Sequence, residues 1–554
     1  MTDKLRIALA QANPKLGAID ANMKLAKEFR SEAEASGADL VVFPELFLCG
    51  YPPEDLVLKP SFIAAITDAL NELAELTLDG GPAMLMTAPL QDGTHLYNGV
   101  CLLEDGKISA IRYKNKLPNY GVFDEVRVFE PGPLPGPIPF KGVRLGVMIC
   151  EDMWSTDVAE CLAETGAELL IVPNGSPFDH EKVDARLNYA VERVGETGLP
   201  LIYLNQVGGQ DELVFDGGSF ILNADRTLPV QMTCWKEDLL VTDWARDADG
   251  TWVCTTSELI DPGTPLERVY NAMVLGLKDY VQKNGFPGVV LGLSGGIDSA
   301  ISAAVAVDAL GADKVHCVMM PSRYTSAESL DDAAQCAQLL ETRLDTVQIE
   351  PAVEAYTNML GDLFAGTDPD TTEENIQSRI RGVTLMALSN KFGKMVLTTG
   401  NKSEMSTGYA TIYGDMCGGY SVLKDLYKTL CFDVSEWRNS HFSHLFKGPE
   451  GPVMPVNVII KPPSAELRED QKDEDSLPPY EVLDAILHAL VEEEKSFTEI
   501  VADGFDGATV SRIQNLLYVA EYKRRQAPPG VKITTRNFGR DRRYPITNGF
   551  RDNR

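Results

Sequence analysis

Histidine is scarce. The chain has six in 554 residues, and only His95 and His180 fall in its first half, neither in a stretch that suggests a dyad. Nucleophilic catalysis driven by a histidine base is therefore poorly supplied there. Cysteine is sparse too: the ten residues form no CxxC pair and no metal-ligand spacing. That pattern excludes a disulfide scaffold and a zinc-finger-type site, and makes a reduced cytoplasm the expected location. Most of the ten are expected as small buried apolar residues. No apolar run approaches the length of about 18 residues that a membrane span needs. The opening MTDKLRIALAQANP lacks the basic region and long apolar stretch of a signal peptide and reads as a strand. Positive charge is also short, with 50 Lys and Arg against 81 Asp and Glu and a formal net charge of −31, which argues against non-specific nucleic-acid binding. One segment runs the other way: residues 521–554 hold ten basic residues against three acidic ones. They fit either docking on an acidic neighbouring surface or contact with phosphate.

At this length one hydrophobic core is too few, and two domains are expected. In the first half LRIALAQ, ADLVVFPE, AMLMTAPL, RLGVMICED, AELLIVPN and LPLIYLNQVG read as strands. NMKLAKEFRSEAEASG and DVAECLAETG read as amphipathic helices ending in glycine. This is an α/β layered pattern. Periodicity fades around 245–263, where turn residues gather, so a linker is expected at 246–265 between domains 1–245 and 266–554. The second half restarts with a helix, then a buried-strand run, a Gly-Gly turn and an Ala-rich helix, GVVLGLSGGIDSAISAAVAVDALG. KVHCVMMPS and KMVLTTGNKSE add strands, giving a doubly wound α/β domain whose ligands belong at the carboxyl ends of its strands. The charged run LREDQKDED reads as a mobile lid.

In RLGVMICEDMW, Cys150 ends an apolar strand. With histidine lacking, a carboxylate can take the thiol proton while a lysine stabilises thiolate and oxyanion. Glu45, in VVFPELFLCGYPPEDL, and Lys114, in IRYKNKLPNYGVFDE, stand at other strand ends; Lys116 competes for the lysine role, and Glu125 is a candidate auxiliary carboxylate. In order, these stretches resemble the nitrilase-type glutaminase domain over residues 4–245, which implies an α-β-β-α sandwich. By that resemblance Glu45 is the general base, Lys114 its electrostatic partner and Cys150 the nucleophile. The block KLPNYGVFDE looks like the version fused to a synthetase, which assigns Tyr120, Ser176 and Lys182 to glutamine.

SGGIDS, 294–299, lacks the lysine of a Walker loop but keeps the parts of an anion site. Gly295 and Gly296 let backbone N–H groups approach closely, a helix points its positive end inward, and Ser294 and Ser299 add hydroxyls. Asp298 would repel phosphate unless a cation such as Mg²⁺ intervenes. The motif resembles the loop of ATP pyrophosphatases, which cleave ATP between its α and β phosphates. EENIQSRIRGVTLMALSN, LTTGNKSEMSTGYATIYGDMCGGYSVLKDLYK and EYKRRQAPPGVKIT resemble the NAD⁺ synthetases over 266–545. That resemblance places ATP against Gly292, Leu293, Ser294, Gly295, Gly296, Ile297, Asp298, Ser299, Thr399, Lys428 and Ser464. It assigns deamido-NAD⁺ to Asn375, Arg379, Glu404 and Lys523, and Mg²⁺ to Asp298 with Glu404. Glutamine, ATP and deamido-NAD⁺ are the implied partners of a homo-oligomeric enzyme.

Overall fold

The computed structural model describes residues 3–180, 183–469, 471 and 477–552. The chain divides into two compact units, Met1–Gln210 with Val214–Gly263, and Asp211–Leu213 with Thr264–Arg554.

The first unit is built on two seven-stranded sheets. One runs in the order Trp252–Cys254, Asp238–Arg246, Lys4–Gln11, Leu40–Val42, Ala83–Asp92, His95–Glu104, Lys107–Tyr113. The other runs Glu258–Leu259, Val230–Gln231, Phe220–Leu222, Leu201–Asn205, Leu169–Asn174, Val143–Val147, Ile138–Phe140. Each has three consecutive parallel strands beside antiparallel flanks. Side-chain alternation explains the layers. Leu5, Ile7 and Leu9 of one sheet join Leu169 and Ile171 of the other in a shared core. The intervening Leu170 and Val172 pack outward beneath the helices Thr156–Glu164 and Val183–Thr197. On the other side the helices Ile19–Ala35 and Pro60–Leu76 cover the first sheet. The result is the α-β-β-α sandwich, and strands buried on both faces account for the near-continuous apolar runs in the sequence.

The stretch 246–265 is not simply a linker. Trp252–Cys254 pairs antiparallel with Asp238–Arg246, and Glu258–Leu259 pairs parallel with Val230–Gln231. These strands of three and two residues are too short to show a period, yet Trp252 and Cys254 alternate into the core.

The second unit carries a five-stranded parallel sheet in the order Arg343–Thr346, Val315–Met319, Val289–Gly292, Met395–Thr398, Tyr420–Ser421. Val289–Gly292 is central, its successor in sequence lies on one side and Met395–Thr398 on the other, so the loop leaving it stands at the topological switch point. The helix that follows begins at Ile297, and all of its residues but Asp298 are buried. Its small side chains permit close packing against Pro265–Lys283 and Lys428–Ser440, where fully buried Arg438 pairs with Asp308 at 2.7 Å. A helical cluster built on Tyr480–Val491 and Gly507–Val519, not anticipated from the sequence, encloses a core with Met405 and Met416. The basic tail docks on the protein itself: Arg524 Nη1 donates to the Met405 and Ser406 carbonyls at 3.1 and 3.0 Å and Arg536 Nη2 to Glu494 at 2.8 Å, while Arg524 and Arg542 pair within the tail with Glu521 at 2.7 and 3.1 Å. Among the described residues no helix is long and apolar enough to cross a membrane.

Candidate active site

Three strand ends of the first unit bring Glu45, Lys114 and Cys150 together. The Lys114 ammonium is fully buried, 2.7 Å from Glu45 Oε1 and 2.9 Å from both oxygens of Glu125. Glu45 also accepts from Asn98 Nδ2 at 2.8 Å and from the Gly175 backbone N–H at 2.9 Å. Tyr51 donates to Glu125 at 2.9 Å. Burial works against the charge on Lys114, but Glu125 and Glu45 outweigh it and hold its pKa well above the ordinary lysine value. Burial pushes Glu125 up to about 7, with Lys114 opposing and Glu45 adding to the rise. Lys116 turns away to Asp157 at 2.6 Å.

Cys150 opens a short 3₁₀ turn in the left-handed region, at φ 48°, a conformation that non-glycine residues hold only where the surroundings impose it. Asp152 imposes it. Its carboxylate accepts from the backbone N–H groups of Ile149, Asn115 and Lys116 at 2.9, 3.0 and 2.7 Å, tying the cysteine turn to the chain just beyond Lys114. Burial pushes the Cys150 thiol well up, with the Glu45 charge adding to the rise and Lys114 opposing it, so the thiol needs a base. Tyr120 donates to Glu151 at 3.0 Å beside the cysteine. Ser176 is held by Arg186, whose Nε donates to its Oγ at 3.0 Å and whose Nη1 pairs with Asp216 at 2.8 Å. Lys182 lies outside the described residues, as do positions 470 and 472–475 of the expected lid.

In the second unit the loop after Val289–Gly292 lines a pocket of about 300 Å³. All eight residues 292–299 line it, with Thr399, Glu404, Lys428 and Ser464. The serines stitch the loop: Ser299 Oγ accepts from the Ser294 N–H at 3.1 Å and donates to the Gly296 carbonyl at 2.9 Å. Asp298 is ion-paired with Lys428, whose ammonium is 3.7 Å from Glu404 Oε1. Burial disfavours the Lys428 charge, but Asp298 and Glu404 outweigh it and hold its pKa above the usual range. The donor set here is oxygen only, two carboxylates converging on a positive group, which suits a hard divalent cation that shares phosphate oxygens. Among the described residues no three His, Cys, Asp or Glu side chains are placed to hold a metal ion alone.

A family model described as carbon-nitrogen hydrolase matches residues 6–252, and one described as NAD synthase matches 269–527. The glutamine-dependent NAD(+) synthetase of Rhodobacter capsulatus is 54% identical over 552 residues, covering 100% of both chains. This chain belongs to the glutamine-dependent NAD⁺ synthetase family. The family member from Xanthomonas campestris is 48% identical, covering 99% of this chain and 98% of its own. A solved structure of the glutamine-dependent NAD⁺ synthetase from Acinetobacter baumannii in complex with ADP matches at TM-score 0.79 and 41% identity over 100% of both chains.

Within this family member the residues expected at ATP line one pocket, whereas those expected at deamido-NAD⁺ divide. Glu404 lines that pocket; Asn375, Arg379 and Lys523 do not. These three instead converge on the segment 408–412. Thr411 donates to Asn375 at 2.8 Å, Arg379 donates to the Ile412 carbonyl at 3.3 Å, and Lys523 donates to the carbonyls of Gly408 and Ala410 at 2.7 Å each. Sequence reasoning missed Asn98, Tyr51 and Arg186, whose partners are remote in the chain, and Asn401, whose cap on Glu404 is local but whose bond to Asp298 spans 103 positions. Asp152 was visible beside Cys150, but nothing local marked its reach to Asn115 and Lys116.

The buried triad carries a stability prediction. Lys114→Met leaves Glu45 and Glu125 facing each other without a counter-charge, which costs about 3–5 kcal/mol. Glu125 stands at about 7 even with the ammonium opposing the rise, and losing the ammonium raises it further. The deficit is therefore full only above the raised pKa and shrinks as pH falls from there toward the ordinary carboxylate range. Thermal melts of the variant and parent at pH 5 and pH 8 check this; a deficit that grows on acidification would refute it.

Proposed function

We propose that the chain makes NAD⁺ from deamido-NAD⁺, with glutamine as nitrogen donor and ATP as activator, acting as a carbon–nitrogen ligase. Residues 1–245 are read as the glutamine amidohydrolase domain and 266–554 as the synthetase domain. The observation that carries the reading is the occurrence in one chain of a thiol beside a buried Glu–Lys pair and a phosphate-type loop without the Walker lysine.

In the first domain Glu45 takes the Cys150 proton, and the sulfur attacks the amide carbon of glutamine. Lys114 stabilises the oxyanion as it forms. The C–N bond breaks after the nitrogen gains a proton, ammonia leaves, and water cleaves the thioester to glutamate. Tyr120, Ser176 and Lys182 hold the glutamine. In the second domain a carboxylate oxygen of the nicotinate attacks the α-phosphorus of ATP and pyrophosphate departs, held by the loop 292–299. Ammonia attacks the resulting acyl carbon, AMP leaves, and the nicotinamide is formed. Asp298 and Glu404 would hold Mg²⁺, which neutralises charge on the phosphates when bound. Asn375, Arg379 and Lys523 act on deamido-NAD⁺ by orienting 408–412 as well as by direct contact. A cytoplasmic, homo-oligomeric enzyme accompanies this reading; the ten cysteines, all free, fit the reducing compartment.

An assay with glutamine, ATP and deamido-NAD⁺, scored for all products, is expected to yield NAD⁺, glutamate, AMP and pyrophosphate. ADP in place of AMP would overturn the reading of the loop.

A further inference from the structure

The two carboxylates of the phosphate pocket already hold a cation, and it belongs to the chain. The Lys428 ammonium pairs with Asp298 Oδ2 and lies 3.7 Å from Glu404 Oε1. Its side chain is 2% exposed, against 18% for Asp298 and 19% for Glu404. The remaining oxygens are tied down by one residue: Asn401 Nδ2 donates to Asp298 Oδ1 at 3.1 Å, and the Asn401 backbone N–H donates to Glu404 Oε2 at 3.3 Å. Asn401 Oδ1 in turn accepts the Glu404 N–H at 2.9 Å, so one side chain caps the short helix bearing Glu404 and spaces the two acids. The stem of Lys428 is equally fixed, its backbone N–H donating to Ser403 Oγ at 2.9 Å.

This arrangement sets two expected roles against each other. An ammonium engaged by Asp298 and Glu404 is not available to a phosphate, and carboxylates engaged by an ammonium are not available to a divalent cation. A divalent ion entering alone would sit against a buried like charge. Removal of the ammonium alone would leave two largely buried carboxylates uncompensated. Only the arrival of phosphate oxygens together with the metal avoids both costs, because the phosphates give the ammonium a new partner while the metal replaces it.

We infer that Lys428 is the resident counter-ion of the metal site, neutralising Asp298 and Glu404 until nucleotide phosphates draw it off and admit the divalent cation. The inference rests on the ATP-site reading above and adds an order of events: metal and nucleotide enter together, and metal without nucleotide is kept out.

The test is Mn²⁺ binding to the full-length protein without nucleotide, read from loss of the free-ion EPR signal. Lys428→Gln keeps a hydrogen-bond donor near Asp298 and removes only the charge; Lys428→Met removes both. Each is expected to bind one Mn²⁺ at least tenfold more tightly than the parent chain, and Asp298→Asn added to either is expected to abolish the gain. Circular dichroism melts identify a variant that fails to fold, in which case the other decides. Equal Mn²⁺ affinity in the parent and a folded Lys428 variant, or a gain that survives Asp298→Asn, would overturn the inference. The parent's products separate this result from the underlying reading. AMP formation with unchanged Mn²⁺ affinity keeps the ATP reading and rejects the counter-ion role, and absence of AMP removes both.

Discussion

Cys150→Ala abolishes NAD⁺ synthesis from glutamine and leaves synthesis from added ammonium near the parent rate. Losing the nucleophile removes the covalent route outright, so glutamine-driven turnover falls roughly 10⁴–10⁶-fold. The size of the effect follows from how completely the site is organised around that one sulfur. Burial opposes the thiolate, and the Glu45–Lys114 pair is the local means of overcoming that opposition. Neither carboxylate nor ammonium can act as a nucleophile in its place, because each is engaged by the other. The substitution itself is mild for the fold, since it deletes one buried sulfur and keeps the turn fixed by Asp152. In the proposed division deamido-NAD⁺ and ATP meet the second domain, whose pocket residues come entirely from 292 onward. NAD⁺ formation measured with glutamine and then with ammonium chloride, at matched ATP and deamido-NAD⁺, checks the prediction. Loss of both activities would reject the division of labour between the domains.

What the sequence made legible was chemistry placed at strand ends. Glu45 and Cys150 each follow a largely buried apolar strand, and Lys114 ends a strand that alternates between exposed and half-buried residues; such patterns are visible without long-range information. The loop 294–299 was legible for the same reason, as a strand, a glycine pair and a helix start in direct succession. The structure supplied the groups that complete these sites from a distance. Glu45 is fixed by Asn98 and by the backbone of Gly175, 53 and 130 positions away. Lys114 prevails over Lys116 because one side chain enters the buried acid pair and the other leaves for Asp157, a difference invisible in the triplet KNK. The strand Trp252–Cys254 was hidden because three residues between polar turns carry no period. Motif resemblance named Asn375, Arg379 and Lys523 but not their posture, which is set by carbonyl and hydroxyl partners on 408–412.

Gly295→Ala is expected to disable the second domain with either nitrogen source. Gly295 sits at φ +87°, and a Cβ there would lie 2.2 Å from the carbonyl oxygen of Ser329. That oxygen is backbone in the first turn of the helix Ala327–Leu339, so no side-chain rotation relieves the clash. Left-handed backbone at a non-glycine residue costs about 1–3 kcal/mol, and overpacking adds a similar amount. The loop must therefore back away from the helix, which moves the N–H groups of 294–298 relative to Thr399 and Lys428. At about 1.4 kcal/mol per tenfold, AMP formation is expected to fall roughly 100-fold or more, with glutamine and ammonium alike. Gly296 supplies the control. It takes an ordinary negative φ of −91°, and a Cβ there would meet only Ser294 Oγ at 3.4 Å. Gly296→Ala is thus expected to cost less than about tenfold, a strain of under 1.4 kcal/mol. Pyrophosphate release by the two variants with each donor, beside their melting temperatures, decides the matter. Equal losses at 295 and 296 would show that N–H presentation, rather than the approach to Ser329, makes glycine necessary in this loop.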